Sequence, residues 1–518
     1  MSADVDSIII GAGHNGLVCA TLLARTGQRV LVLEAAGHPG GALRTREFAP
    51  GFQVSAGAHL LHHFPGTLLA ELDLIRHGLR FAAEAMPTVM LRAGGAHVTL
   101  HGHRATGVSA AEATAYAAFH ARMDRFATRF LQVLQQTPPR IDAATRADQI
   151  GLLRLGWWIR SLGRDRMRDL LRIIGMPVHD LAEECFTDAA LQAAIGFGAV
   201  LGNDAGPRAP GTVLNWLYRA SLEQAAGARG TCQVQGGMGA LGVALANAAT
   251  AAKVELKLNT RVARITVAGD RATGVALEDG RLRGARRVIS AASPRATFMQ
   301  LLGAEHLDAG FTRRVAHLRA RGHTAKLHLA LSAAPVFHGL APAAHGDRLV
   351  IAPDLAAIEH AYNPIKYGEL PAAPIMEISI PTVRDPSLAP AGQHVLSAIV
   401  QFVPHDTMGL PDGWRDRFIT QLVAQLARYA PGLPAHVLHA ELLMPADLQD
   451  EFGLDGGHWH HGELTMDQFY FNRPLPGAAQ YQAPVAGLFL CGAGSHPGGG
   501  IAGIAGQNAA RHILTHDR

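Results

Sequence analysis

Ser7-Ile8-Ile9-Ile10-Gly11-Ala12-Gly13-His14-Asn15-Gly16-Leu17 is the stretch on which the reading of this chain turns. Ser7 to Ile10 suits a short buried parallel strand, and Leu17 to Ala24 continues with helical spacing until Thr26-Gly27 stops it. The glycines between them fall in a GxGxxG pattern. Gly11 permits the tight turn, Gly13 lets a pyrophosphate approach the backbone, and Gly16 lets helix and strand pack closely. The helix N-terminus then offers free N–H groups and a partial positive charge to that phosphate.

Outward from this motif, Arg29 to Leu33 is a second strand ending at Glu34, 23 positions after Gly11, where an acid meets the two ribose hydroxyls of a dinucleotide. Gly40-Gly41-Ala42-Leu43-Arg44-Thr45 follows. The glycine pair implies a second close backbone approach near the pyrophosphate, with Arg44 as a counter-charge.

The length of 518 residues suggests roughly two to four lobes. Apolar residues at 48% and charged residues at 17% supply a large core and exclude global disorder. Glycine, at 57 residues, is in excess without a collagen-like period, so its placement carries information. The net charge is only +4, and lysine occurs only at 253, 257, 326 and 366, so no nucleic-acid partner is expected. Cys19, Cys185, Cys232 and Cys491 are widely spaced and form no CxxC pair, which fits a reducing, cytoplasmic setting. The uncharged run from Ser7 to Ala24 is preceded by Asp4 and Asp6 and interrupted by glycines, so it reads as soluble structure rather than a signal or membrane segment.

Two later stretches return to the same theme. Gly236-Gly237-Met238-Gly239-Ala240-Leu241 opens an alanine-rich helix to about Ala252. Strands at Val254 to Leu258, Arg261 to Val267, Ala272 to Leu277 and Arg287 to Ser290 follow. Gly487 to Gly492 is a buried-type strand, and Ala493-Gly494-Ser495-His496-Pro497-Gly498-Gly499-Gly500 introduces a helix from about Ile501 to Leu514. This second glycine loop at a helix N-terminus can stabilise negative charge on a bound ring system.

On these residues the chain resembles the flavoprotein superfamily of flavin amine oxidases, phytoene desaturases and Rab GDP-dissociation inhibitors. The glycine pair beyond the ribose acid suggests FAD over a bare nicotinamide nucleotide. Gly462-Glu463, Asp467-Gln468, Arg473-Pro474, Pro484, Cys491-Gly492 and Ser495 to Gly500 are similar to the phytoene-desaturase-related proteins, especially the branch called pyridine nucleotide-disulphide oxidoreductase domain-containing protein 2. The resemblance implies an α/β fold: a Rossmann-type, glutathione-reductase-like FAD-binding domain with an inserted α+β substrate domain. It implies that FAD is held by Gly11, Ala12, Gly13, Asn15 and Gly16, by Glu34 and Ala35, by Gly41 and Arg44, by Val262 beside the adenine, and by Gly492, Gly500 and Ile501.

The FAD domain is then discontinuous, 1–80, 232–296 and 485–518, and 81–231 with 297–484 builds the substrate domain. The first insertion reads as mainly helical, at Ala105 to Leu134 and Ala143 to Gly202, broken at Pro138-Pro139 and Gly175-Met176-Pro177. The second carries strand-like runs at Ala325 to Leu331, Met376 to Ile380 and His394 to Phe402, then a helix from Trp414 to Ala430. Leu152 to Ile174 interleaves leucine, isoleucine and two tryptophans with arginines, a pattern able to lie in a membrane interface. His59, His62 and His63, and His458, His460 and His461 with Glu463, match no familiar ligand spacing, so no metal is expected.

Flavin chemistry needs few protein acids and bases, because the cofactor itself takes the hydride. Lys326, inside the apolar run Thr324 to Leu329, resembles in outline the lysine that reaches flavin N5 through water in amine oxidases. His59 and His496 are expected beside the ring as neutral-pH proton carriers. The leading expectation is an FAD-dependent oxidoreductase that desaturates, or in reverse saturates, a C–C bond of a small apolar substrate, carotenoid-like or otherwise lipophilic, by hydride transfer to flavin N5. Electrons would pass to a quinone or oxygen. A flavin amine oxidase and a non-enzymatic lipid or prenyl carrier of the GDP-dissociation-inhibitor type remain as alternatives. The expected setting is the cytoplasm, with peripheral contact at the inner face of a membrane, and the sequence carries no signal for a particular oligomer.

Overall fold

The computed structural model describes residues 4–142 and 145–516. Val5–Ile10 is central to a seven-stranded sheet, parallel to both neighbours, with Ile10 opposite Leu33 of Val30–Leu33 and opposite Ser290 of Leu282–Ser290. Glu255–Lys257 extends the sheet on one side, and Leu488–Leu490 pairs in parallel with the end of Leu282–Ser290. Arg271–Leu277 and Val262–Ala268 continue it as an antiparallel arm. Alternate residues of the first strand serve the two faces, as a strand requires. Ile9 packs toward the helices His14–Ala24 and Gly239–Ala251, whereas Ile8 and Ile10 pack toward Phe298 and Phe311. Burial on both sides explains why these strands read as apolar runs without alternation.

The C-terminal helix begins at Ile504 rather than Ile501, because Ile501 and Gly503 hold positive φ (57° and 68°) in the turn before it. It crosses His14–Ala24 closely: a Cβ at Gly506 would lie 2.1 Å from the Asn15 carbonyl oxygen.

An eight-stranded sheet forms the second layer, in the order Val437–Leu443, Thr324–Leu331, His394–Gln401, Ile375–Ser379, Arg348–Ile351, Thr88–Met90, Val98–His101, Arg104–Thr106. Three of these strands come from the first insertion, which the sequence reading takes as mainly helical. They are three or four residues long, too short for a period to show, and Thr88–Met90 is held by parallel pairing to the distant Arg348–Ile351. Ala105 accordingly lies in a strand, and the helix that follows is Ala110–Leu134, N-capped by Ser109. The expected helical stretch 143–202, whose first two residues lie outside the described ones, is four helices: Arg146–Ser161, Arg164–Ile173, Val178–Cys185 and Ala189–Val200.

One face of the second sheet is sealed by Trp414–Ala427 over Ala325, Leu327, Leu329, Met376, Ile378, Leu396 and Ala398. Period-two alternation therefore sends Lys326, His328, Glu377 and Ser397 to the other face, toward the first sheet and the helical layer. Thr324–Leu331 is an internal strand, paired on both sides, so Lys326 is buried there rather than standing at a solvent-facing edge. Among the described residues, no helix is long and apolar enough to cross a membrane.

Candidate active site

The first glycine loop has the shape a diphosphate requires. Gly13 is the N-cap of His14–Ala24 with no side-chain cap, and a Cβ there would meet no protein atom within 4 Å, so the space over the helix N-terminus is open. At Gly16 a Cβ would lie 2.3 Å from the Gly11 carbonyl oxygen, so only glycine allows this packing. The Glu34 carboxylate accepts hydrogen bonds from the Ala12 and Ala36 amides (2.7 and 2.8 Å), which fixes the acid beside the loop. Gly40 donates to the Ala12 carbonyl, bringing the glycine pair against the first loop, with Gly41 packed on Gly13. Ala35 borders a cleft with Thr260 and Arg261, next to Val262, which pairs with Leu277.

Two residues of the expected cofactor set have their side chains turned to protein. Asn15 is buried in the helix crossing, its Oδ1 accepting from the Gly506 amide. The Arg44 guanidinium lies 3.4 Å from Glu451, an acid it shares with Arg46.

Beyond the loop lies a cavity lined by Ala42, His59, Arg219, Lys326, Glu377, Trp459, Gly500 and Ile501, among others. Lys326 and Glu377 stand on the two strands that flank His394–Gln401, each in register with its Ile399. Lys326 Nζ donates to Ser397 Oγ and lies 3.0 Å from His59 Nδ1. His59 Nε2 is 3.0 Å from Glu377 Oε1, and the other Glu377 oxygen accepts from Arg348 Nε at 2.7 Å. Burial opposes the charge on Glu377, but Arg348 and the hydrogen-bonded His59 hold its pKa well below the usual value. An ionised Glu377 accepts a hydrogen bond from His59 Nε2–H, which leaves Nδ1 as the acceptor from Lys326. Burial, reinforced by Lys326, lowers His59 to about 4. Burial also lowers Lys326 to about 7, against the pull of Glu377. The cavity therefore holds a lysine poised between its charged and neutral forms near physiological pH.

The second glycine loop closes the other wall. His63 Nδ1 is 3.0 Å from the Gly500 carbonyl, and the Tyr218 hydroxyl donates to the Gly499 carbonyl at 2.6 Å. At Gly492 a Cβ would lie 2.5 Å from the Ala291 carbonyl oxygen, which places the loop tightly across the ends of the parallel strands. The motif around Arg473 supports this wall from behind. Its buried guanidinium donates to the carbonyls of His460, Gly462, Glu463, Gln468 and Ala493, fixing the segment that carries Trp459 and His460 into the cavity.

His496 does not join this group. Its ring is fully buried beside Tyr470, with centroids 5.2 Å apart, and it is not among the residues lining the cavity. The backbone of the loop, at Gly500 and Ile501, lines the wall that its side chain was expected to occupy. Of the two histidine groups noted in the sequence, His59 bonds Glu377 and His458 bonds Glu463 at 2.8 Å. A different trio, His103, His120 and Asp124, brings ligand atoms within 4.8 Å of one another at the surface. Sequence reading missed Glu377, Arg348, Ser397 and Arg219. Glu377 had the same signal that singled out Lys326, a charge inside an apolar strand, Ile375-Met376-Glu377-Ile378.

Residues 16–514 match the family model described as flavin containing amine oxidoreductase. The rat pyridine nucleotide-disulfide oxidoreductase domain-containing protein 2 is 33% identical, over 100% of this chain and 94% of its own. Hydroxyneurosporene desaturase of Cereibacter sphaeroides is 29% identical, over 98% of this chain and 97% of its own. A putrescine oxidase structure with bound putrescine superposes with a TM-score of 0.63 at 18% identity, covering 99% of each chain, and shares the fold.

Proposed function

The chain belongs to the flavin-containing amine oxidoreductase family and is an FAD-dependent oxidoreductase, and from that premise we propose that it dehydrogenates a C–C bond of a lipophilic substrate, or saturates one in reverse. The open cradle at Gly13 and the bare helix N-terminus fit the FAD diphosphate. The observation that carries the substrate reading is the cavity wall beside Lys326. It is built from Leu60, Leu201, Ile399, Leu448 and Leu454, and Trp459 is its one aromatic side chain other than histidine among the described residues. An aliphatic wall suits a hydrocarbon chain, whereas a substrate amine favours paired aromatic faces.

Removing hydrogen from two adjacent carbons releases a hydride, for which bound FAD would supply the acceptor, and a proton, for which Lys326 Nζ is the base. Ser397 and His59 orient Nζ, and Glu377 stabilises the ammonium formed there. The aliphatic wall excludes water from the reacting carbons. A quinone or oxygen would serve as the electron acceptor.

Peripheral membrane contact belongs to the same reading. Ile150, Leu153 and Trp157 recur at i, i+3, i+7 on Arg146–Ser161 and are 48%, 73% and 71% exposed, with Arg154 and Arg160 exposed nearby. On the next helix, Arg164–Ile173, Leu171 is also exposed, whereas Leu170 and Ile173 are buried in the core. An anionic bilayer matches its apolar and basic character.

Anaerobic mixing of the holoprotein with carotenoid, fatty-acyl, retinoid and amine candidates tests the substrate class. Bleaching of the flavin by an apolar chain is expected, and bleaching by amines alone overturns the reading.

A further inference from the structure

A second cavity, of about 430 Å³, adjoins the first and opens to the surface between His101–His103 and Gly227–Ala228. Arg219, on the buried helix Thr212–Ala226, lines both. Its residue is only 9% exposed, yet its guanidinium has no hydrogen bond and no ion pair within 4.0 Å among the described residues. The other cations of this region are committed: Arg348 to Glu377, and Arg473 to five carbonyls. Glu223, one helical turn on, lines the same outer cavity and favours the Arg219 charge through space, but it makes no ion pair with it within 4.0 Å. A buried cation without a partner is costly, and a guanidinium presents a planar fork of donors that fits a carboxylate bidentately.

We infer that Arg219 anchors a carboxylate of the substrate, so that the molecule oxidised is an apolar chain ending in an acid. The inference deepens the dehydrogenation reading and rests on it for the identity of the chain. One uncommitted guanidinium matches one monoanion, whereas a phosphate dianion would draw on further cations that this cavity has already paired. Because Arg219 stands in the wall shared by the two cavities, an acid held there sends the attached chain along Leu201 and Ile399 to Lys326. The polar rim of the outer cavity, with Thr231, His101 and His103, is left to the acid end and its water.

Calorimetric titration of the FAD-loaded protein with dodecanoate and with methyl dodecanoate tests this without turnover. Wild type is expected to bind the acid about tenfold or more tightly than the ester. Arg219→Met should lose that preference with its FAD content unchanged, and Arg219→Lys should keep part of it. Equal affinity of wild type for acid and ester, or an undiminished preference in Arg219→Met, overturns the assignment. If Arg219→Met fails to hold FAD, the acid-to-ester ratio in wild type and in Arg219→Lys decides the question. The two readings fail separately. Acid binding through Arg219 with flavin bleached only by amines would keep the anchor and sink the dehydrogenation. Bleaching by chains irrespective of an acid end would do the reverse.

Discussion

At the scale of the residue, Lys326 makes the sharpest claim. Its pKa, lowered to about 7 by burial, puts the neutral base within reach at physiological pH, while His59, lowered to about 4, stays neutral throughout and cannot mimic the titration. The rate of flavin reduction should therefore rise about tenfold per pH unit below pH 7 and level off above it. Lys326→Met should be slower by about a hundredfold, flat across this range, and unchanged in FAD content. Stopped-flow reduction over pH 5.5 to 9 checks both, and an unshifted profile in the mutant returns the lysine to a packing role. The sign for Glu377 follows from its charge: Glu377→Gln removes the negative group that favours the ammonium, so the midpoint moves below 7. The glycine turns and the acid fixed beside them were legible at this scale, because close packing at Gly16 and the amides that Glu34 accepts set a steric and hydrogen-bonding demand that little else satisfies. Glu377, Ser397 and Arg219 were not, since their meaning comes from helix burial and from strand register that joins residues far apart in the chain, 71 positions from Lys326 to Ser397 and 318 from His59 to Glu377.

At the scale of the element, the segment from His458 to Arg473 shows how one buried side chain holds a wall. Five carbonyls converge on Arg473, and removing the guanidinium leaves several of them unsatisfied, at about 1–3 kcal/mol each where no water enters. Arg473→Met should lower the melting temperature by several degrees and loosen FAD, because Trp459 and His460 lose their support. Thermal scans with flavin fluorescence report both, and a mutant with native melting and tight flavin would contradict the role. The sequence motif around Arg473 pointed to family, and the structure supplies its physical reason. Arg146–Ser161 is a second element with its own test. Trp157→Ser with Leu153→Ser should abolish co-sedimentation with phosphatidylglycerol vesicles while leaving flavin reduction by a water-soluble candidate unchanged. Equal sedimentation of mutant and wild type would remove the membrane from the proposal. The short strands of the first insertion escaped sequence reading for the reason that makes them stable here: their pairing partners are distant, and three residues are too few to display a period.

At the scale of the whole molecule, the two sheets meet over one extended site. His59 and Gly500 reach it from segments around the first sheet, and Lys326 and Glu377 from the second. FAD held between Glu34 and this cavity would touch both layers, so its binding free energy would also stabilise the native state, by about 2.7 kcal/mol at a free concentration one hundred times its dissociation constant. The native protein stripped of FAD should accordingly melt several degrees lower and be cut faster by protease than the holoprotein, and added FAD should reverse both. Glu34→Arg separates cofactor loss from a general defect. The substitution removes the acceptor that holds the Ala12 and Ala36 amides and puts a cation where the ribose hydroxyls need a carboxylate. This variant should be colourless as purified, melt with the stripped wild type rather than below it, and gain nothing from added FAD. A yellow, fully loaded Glu34→Arg protein would place the ribose elsewhere. Melting far below the stripped wild type would instead make Glu34 a structural acid of the Ala12 turn, with the cofactor held mainly by the glycine loops at Gly13 and Gly500.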